Sequence, residues 1–104
     1  MTTVVYRADS GYTPPRGTTI ADVLTHEIEE LGNTGIVVNQ AVLDQLARCP
    51  ASACLWVSPT YAYARQFGAQ VDRLELTHLV VIATDPYGGM LIWLGLNKAL
   101  FARG

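Results

Sequence analysis

Leu55-Trp56-Val57-Ser58-Pro59-Thr60-Tyr61-Ala62-Tyr63-Ala64-Arg65-Gln66-Phe67-Gly68 is the stretch whose reading decides the fold. It reads as a strand running into a helix. Residues 53–57 are apolar and carry Trp and Val, which suits a buried strand. Ser58-Pro59 then offers a helix start, with Ser as cap and Pro at the first helical position. Gly68 closes that helix. A short buried strand followed by a short helix points to a small α+β domain.

The chain on either side of the junction agrees. Upstream, residues 3–7 read as a strand of β-branched residues ending in Tyr6-Arg7. Asp9-Ser10-Gly11 and Thr13-Pro14-Pro15-Arg16-Gly17 make a loop that no regular element crosses. Thr18 or Thr19 caps a helix with apolar positions Ile20, Val23, Leu24, Ile28 and Leu31. Glu27, Glu29 and Glu30 are assigned to its solvated face, His26 beside them, and Gly32 stops it. Residues 36–38 form a short strand. Asn39 caps a second helix over residues 40–48, with Val42, Leu43 and Leu46 inward, and Pro50 ends it.

Downstream, the last third reads as β. Residues 71–76 alternate, and residues 78–84 form a continuous β-branched run, hence a central strand covered on both faces. Asp85-Pro86-Tyr87-Gly88-Gly89 is a tight turn, and residues 90–94 return as the hairpin partner. Residues 97–104 are a short tail with room for a helical turn. Trp56 and Trp93 read as core. His78, opening a buried-looking strand, reads as a structural histidine.

The totals exclude several function classes. The chain has 104 residues, enough for one domain and one modest core. Hydrophobic residues make up 50% and charged residues 15%, which excludes disorder and leaves apolar surface for a partner or a second copy, a homodimer included. The 7 basic residues are outnumbered by 9 acidic ones and form no cluster, so a nucleic-acid footprint is missing. No segment reaches membrane-spanning length, and residues 1–7 lack the apolar stretch of a signal peptide. Cys49 and Cys54 read as free thiols in a reducing cytoplasm. A disulfide has no sequence support, and zinc lacks nearby ligands.

The polar residues without an evident surface role sit at strand ends, where rigid sheets aim side chains. Arg7, Ser58, Thr60 and Asp85 are these residues. In this order, Tyr-Arg on a first strand, Ser-x-Thr after an inner strand, and Ala64 and Phe67 on the next helix, the chain resembles the mono-ADP-ribosyltransferase superfamily of the arginine–serine–glutamate type. The resemblance implies an ADP-ribosyltransferase-like mixed sheet with N-terminal helices and a β-rich C-terminal third. It also implies NAD as substrate and a macromolecular acceptor, most simply a protein. Arg7, with Tyr6, would hold the phosphates, Ser58 and Thr60 would brace the site, and Ala64 and Phe67 would pack behind it.

The chemistry suits those residue types. A guanidinium makes bidentate, charge-assisted bonds to phosphate. Tyr61, Tyr63 or Tyr12 could stack on the planar nicotinamide. As the glycosidic bond breaks, positive charge builds on the ribose, and a fixed carboxylate stabilises it.

Two residues depart from the pattern. Pro59 stands where the family usually has Thr, and residues 90–94 carry no glutamate where the catalytic one is expected. Asp85 is the nearest acid. Some small phage-encoded ADP-ribosyltransferases that inhibit CRISPR effectors use an Asp in a similar late position, and this resemblance points to Asp85 as the acid. Glu75 is its rival.

Each residue also has an ordinary explanation. Arg7 can pair with a surface carboxylate, Ser58 can be a simple cap, and Asp85 can be a turn residue. Tyr61 and Tyr63 cannot share one helix face, so one belongs to the core and the other is free to line a pocket. The rival function is a non-catalytic module or inhibitor that binds a host protein on the same fold. A toxin neutralised by an antitoxin is the third reading.

Overall fold

The computed structural model describes residues 2–8, 14–30, 32 and 34–95. The expectations for Tyr12, Leu31, the Asp9-Ser10-Gly11 loop and the tail at residues 97–104 lie outside the described residues. The fold is α+β, with two antiparallel sheets and three short α-helices. The first sheet pairs β1 (Thr3–Ala8) with β4 (Val71–Leu76). The second has the order β2 (Val37–Val38), β5 (Val81–Thr84), β6 (Met90–Trp93), β3 (Cys54–Val57). Every pairing among these strands is antiparallel, so the strands divide between two sheets rather than forming one mixed sheet.

The four-stranded sheet is buried on both faces, and strand alternation sorts its side chains. On one face, Cys54, Ile82 and Leu91 pack with Ile20 and Leu24 of α1 (Ile20–Thr25). Val42, Leu43 and Leu46 of α2 (Gln40–Leu46) close over the same cluster, as their spacing predicts. On the other face, Val57 and Ile92 meet Val5 and Leu76 of the two-stranded sheet. Trp56 and Trp93 are half-buried against the helix-side cluster. α3 (Tyr61–Arg65) packs against β1 and β4.

Local chemistry explains most boundaries. Thr19 caps α1 in a capping box: its hydroxyl accepts from the Asp22 N–H, and the Asp22 carboxylate accepts from the Thr19 N–H. Asn39 caps α2 through the Val42 N–H. The first helix does not run on as a regular α-helix. It widens into a π-helical turn at His26–Glu30. Gly32 then sits at φ 68°, the left-handed conformation expected of a stop.

Two expectations are corrected. The run at residues 78–84 is a strand only from Val81; His78 and Leu79 precede it and are exposed, so His78 is not buried in a strand. Pairing begins at Val81 opposite Ile92, after a bend at Thr77 and His78. The second correction concerns Ser58, which is not the helix cap. Its N–H donates to the Tyr6 carbonyl and its carbonyl accepts from the Tyr6 N–H, both at 2.8 Å. With its backbone committed to β1, Ser58 extends the sheet, and Pro59 stays outside the helix. Thr60 becomes the cap instead, accepting from the Tyr63 N–H at 3.3 Å.

Candidate functional site

The Tyr6–Ser58 bridge joins the two sheets at one point. Beside it lies a cleft of about 880 Å³. Its walls come from β1, β3, α3, the β5–β6 turn, α1 and the π-helical turn that follows it. This volume falls within the roughly 300–1,000 Å³ typical of ligand pockets.

Five of the residues singled out from the sequence line this cleft: Tyr6, Arg7, Ser58, Tyr63 and Asp85. Ala64, buried, and Phe67 line it too. Phe67 does not pack away behind the site as expected: it is 58% exposed, with its ring 5.2 Å from that of Tyr63. Thr60 and Tyr61 are not part of the wall. Thr60 serves as the α3 cap, and Tyr61 is 54% exposed, edge-on to Tyr6 at 6.0 Å. Of the two helix tyrosines it is therefore Tyr63 that faces the cleft. Neither is fully buried.

Arg7 is half-buried. Its guanidinium makes no hydrogen bond or ion pair with a described residue. Among the described residues, the surface ion pair is instead Arg73 with Glu75 at 2.9 Å, on the exposed face of β4. Glu75 is thereby outside the cleft. Ser58 is 2% exposed, and its Oγ accepts from the Thr60 N–H at 3.1 Å, fixing the strand-to-helix turn.

Asp85 is both a turn residue and a cleft residue. Its Oδ1 accepts the N–H groups of Tyr87 at 2.8 Å and Gly89 at 2.9 Å. Its Oδ2 accepts the Tyr63 hydroxyl at 3.1 Å. Gly89 packs so close that a Cβ there would overlap Oδ2. Burial, the hydrogen bond to Asp85 and the negative field of Asp85, Tyr87 and Glu27 push the Tyr63 phenol up to about 12. Tyr63 therefore stays a donor near neutral pH and holds the carboxylate still.

The cleft also contains two groups assigned from the sequence to the solvated face of the first helix, His26 and Glu27. Asp22 lines it as well, and Glu27 is half-buried. The signal that finds Glu27 is its spacing. It stands seven residues after Ile20 and three after Leu24, on the inward stripe of the helix. Glu29 and Glu30 are exposed, as expected.

Cys49 and Cys54 are free thiols. Cys54 is buried, bonded to the Ala51 carbonyl at 3.3 Å, and burial pushes its thiol up to about 11. Among the described residues, no group of three or more His, Cys, Asp or Glu is placed to hold a metal ion, and no helix is long and apolar enough to cross a membrane.

No family model, curated protein or solved structure matches the chain.

Proposed function

We propose that the cleft binds NAD and that the protein transfers ADP-ribose to a macromolecular acceptor, most simply a protein side chain. The observation that carries this reading is the convergence of Arg7, Ser58, Tyr63 and Asp85 on one cleft. These residues come from three separate parts of the chain: β1, the β3–α3 junction and the β5–β6 turn. A half-buried guanidinium that bonds no described residue suits an anionic ligand, and a diphosphate fits it in charge and geometry. Asp85 supplies a negative charge fixed by three hydrogen bonds. Such a charge stabilises the ribose as nicotinamide departs without reorganising during the step. Phe67 and the Tyr63 ring offer apolar surface for a planar base.

Thermal unfolding with millimolar NAD tests the binding step. A ligand that binds only the folded state raises the melting temperature, by about 2.7 kcal/mol of added stability at a hundredfold excess over Kd. Arg7→Ala should abolish most of that rise. Incubation with NAD and a lysate, read by mass spectrometry, tests the transfer: a target should gain one ADP-ribose, and Asp85→Ala should remove the gain. No rise with the wild-type protein refutes the reading.

One observation favours a second reading, a non-catalytic module that blocks a partner protein. β6 (Met90–Trp93) carries no acid, and Asp85 spends its oxygens on its own turn and on Tyr63. Partner inhibition that survives Arg7→Ala, with no NAD-induced shift, would favour it.

A further inference from the structure

β4 (Val71–Leu76) pairs with β1 along one edge, and among the described residues no strand occupies the other. The Tyr6–Ser58 bridge shows which of its backbone groups face that outer edge. Tyr6 exchanges both backbone hydrogen bonds with Ser58, so its N–H and carbonyl point away from β4. Tyr6 and Arg73 are therefore a non-hydrogen-bonded pair, and Val5 with Leu74 a hydrogen-bonded one. By alternation, Val71, Arg73 and Glu75 turn their N–H and carbonyl groups to the outer edge. Open edges are usually guarded by shortness, proline, lysine or a bulge. β4 has six residues, no proline, no lysine and an unbroken register against β1.

The charges on this strand complement a copy of itself. Arg73 and Glu75 flank Leu74, so both side chains stand on one face, 2.9 Å apart and each more than half exposed. A twofold antiparallel pairing must be centred on a residue, because opposed side chains share a face. Centred on Leu74, it sets Arg73 opposite the partner's Glu75, and Glu75 opposite the partner's Arg73. These residues have outward-facing backbone groups, so each opposed pair exchanges two hydrogen bonds. Their side chains form a square of alternating charge. Centred on Arg73 or on Glu75, the pairing sets like charges face to face, which is destabilising. Leu74, half-buried beside Val5 and Leu76, meets its own copy on the other face of the sheet and continues that apolar cluster across the axis.

We propose that the outer edge of β4 binds a second copy of this chain, in a twofold antiparallel pairing centred on Leu74. The two-stranded sheets of the two copies then join into one continuous sheet in the order β1–β4–β4–β1. The contact uses no residue assigned to NAD, so it stands or falls independently of that reading.

Analytical ultracentrifugation of the whole chain between roughly 10 μM and 1 mM, a range suited to a small interface, reads the mass directly. The wild-type mass should rise from 11.3 kDa towards twice that value. The twofold applies each substitution twice, so Arg73→Glu and Glu75→Arg should each weaken association by about tenfold or more. An equimolar mixture of these two variants restores both opposed pairs and should dimerise where neither variant does alone. The double variant Arg73→Glu/Glu75→Arg exchanges the charges within one chain and should dimerise like the wild type. Both positions are exposed, so the variants should keep the wild-type circular dichroism spectrum. A wild-type chain that stays at 11.3 kDa up to the highest concentration overturns the proposal, whatever the variants do. A wild-type dimer that the single reversals leave intact, or that the double variant fails to restore, overturns it as well.

Discussion

Gly89→Ala should be strongly destabilising in the natural sequence and harmless once Asp85 is removed. Gly89 does not occupy a positive-φ conformation, so its backbone accepts alanine. Its three nearest neighbours are all atoms of the Asp85 carboxyl group, with Cγ at 3.1 Å and Oδ2 closer still. A methyl group must therefore push the carboxylate aside. An isolated aspartate would swing away at little cost, but this one accepts from Tyr87, Gly89 and Tyr63 at 2.8, 2.9 and 3.1 Å. Losing two of these bonds costs about 2–3 kcal/mol. For a domain of this size that is a drop in melting temperature of roughly 8–24 °C.

The sign reverses in the Asp85→Ala background. There the obstructing atoms are gone, and alanine restricts the unfolded chain more than glycine does. Gly89→Ala then becomes neutral or stabilising, by up to about 1 kcal/mol. Urea denaturation of the four proteins in this cycle yields a coupling of about 2–4 kcal/mol. An equal cost of Gly89→Ala in both backgrounds would refute the account of Asp85 as a clamped carboxylate.

Two further outcomes follow from the same chemistry. Stability should decline above about pH 9, because the folded state holds the Cys54 and Tyr63 protons more tightly than the unfolded chain does. This stability is complete below the unfolded values and lost as pH rises through the folded ones. The windows run from 9.0 to about 11 for the Cys54 thiol and from 10.0 to about 12 for the Tyr63 phenol. The buried thiol alone contributes on the order of 2 kcal/mol, and Cys54→Ala should flatten the alkaline limb of a stability–pH curve. Thr19→Ala removes the capping box and should cost about 1 kcal/mol, a melting shift of roughly 4–8 °C.

The elements were legible wherever one local signal dominated. Thr19, Asn39 and Gly32 act as their residue types predict, because capping and left-handed turns depend on a few neighbouring atoms. The alternation of residues 71–76 and the Asp85–Gly89 turn were legible for the same reason. Ser58 was misread because its backbone bonds run to Tyr6, more than fifty residues away. Ser-Pro favours a helix start, but two backbone hydrogen bonds across the sheets outweigh that preference and move the start to Thr60. Glu27 was misread because it sits in a run of acids. Composition groups it with Glu29 and Glu30, whereas spacing separates it from them. The expected mixed sheet became two antiparallel ones because strand partners are long-range choices that no local pattern encodes.

The same bridge makes Arg7 a clean probe of the cleft. Tyr6 exchanges both of its backbone hydrogen bonds with Ser58. Across β4, Tyr6 faces Arg73, while the next residue, Arg7, faces Asp72. The join between the sheets therefore depends on the backbone of Tyr6 and Ser58, not on the Arg7 side chain. Truncating Arg7 removes the cleft's arginine and leaves that join in place. A loss of NAD-induced stabilisation in Arg7→Ala, with the melting temperature of the ligand-free protein preserved, would thus report on the ligand and not on the fold. A large fall in ligand-free stability would mean that Arg7 serves the structure, and the case for a phosphate-binding guanidinium would fail with it.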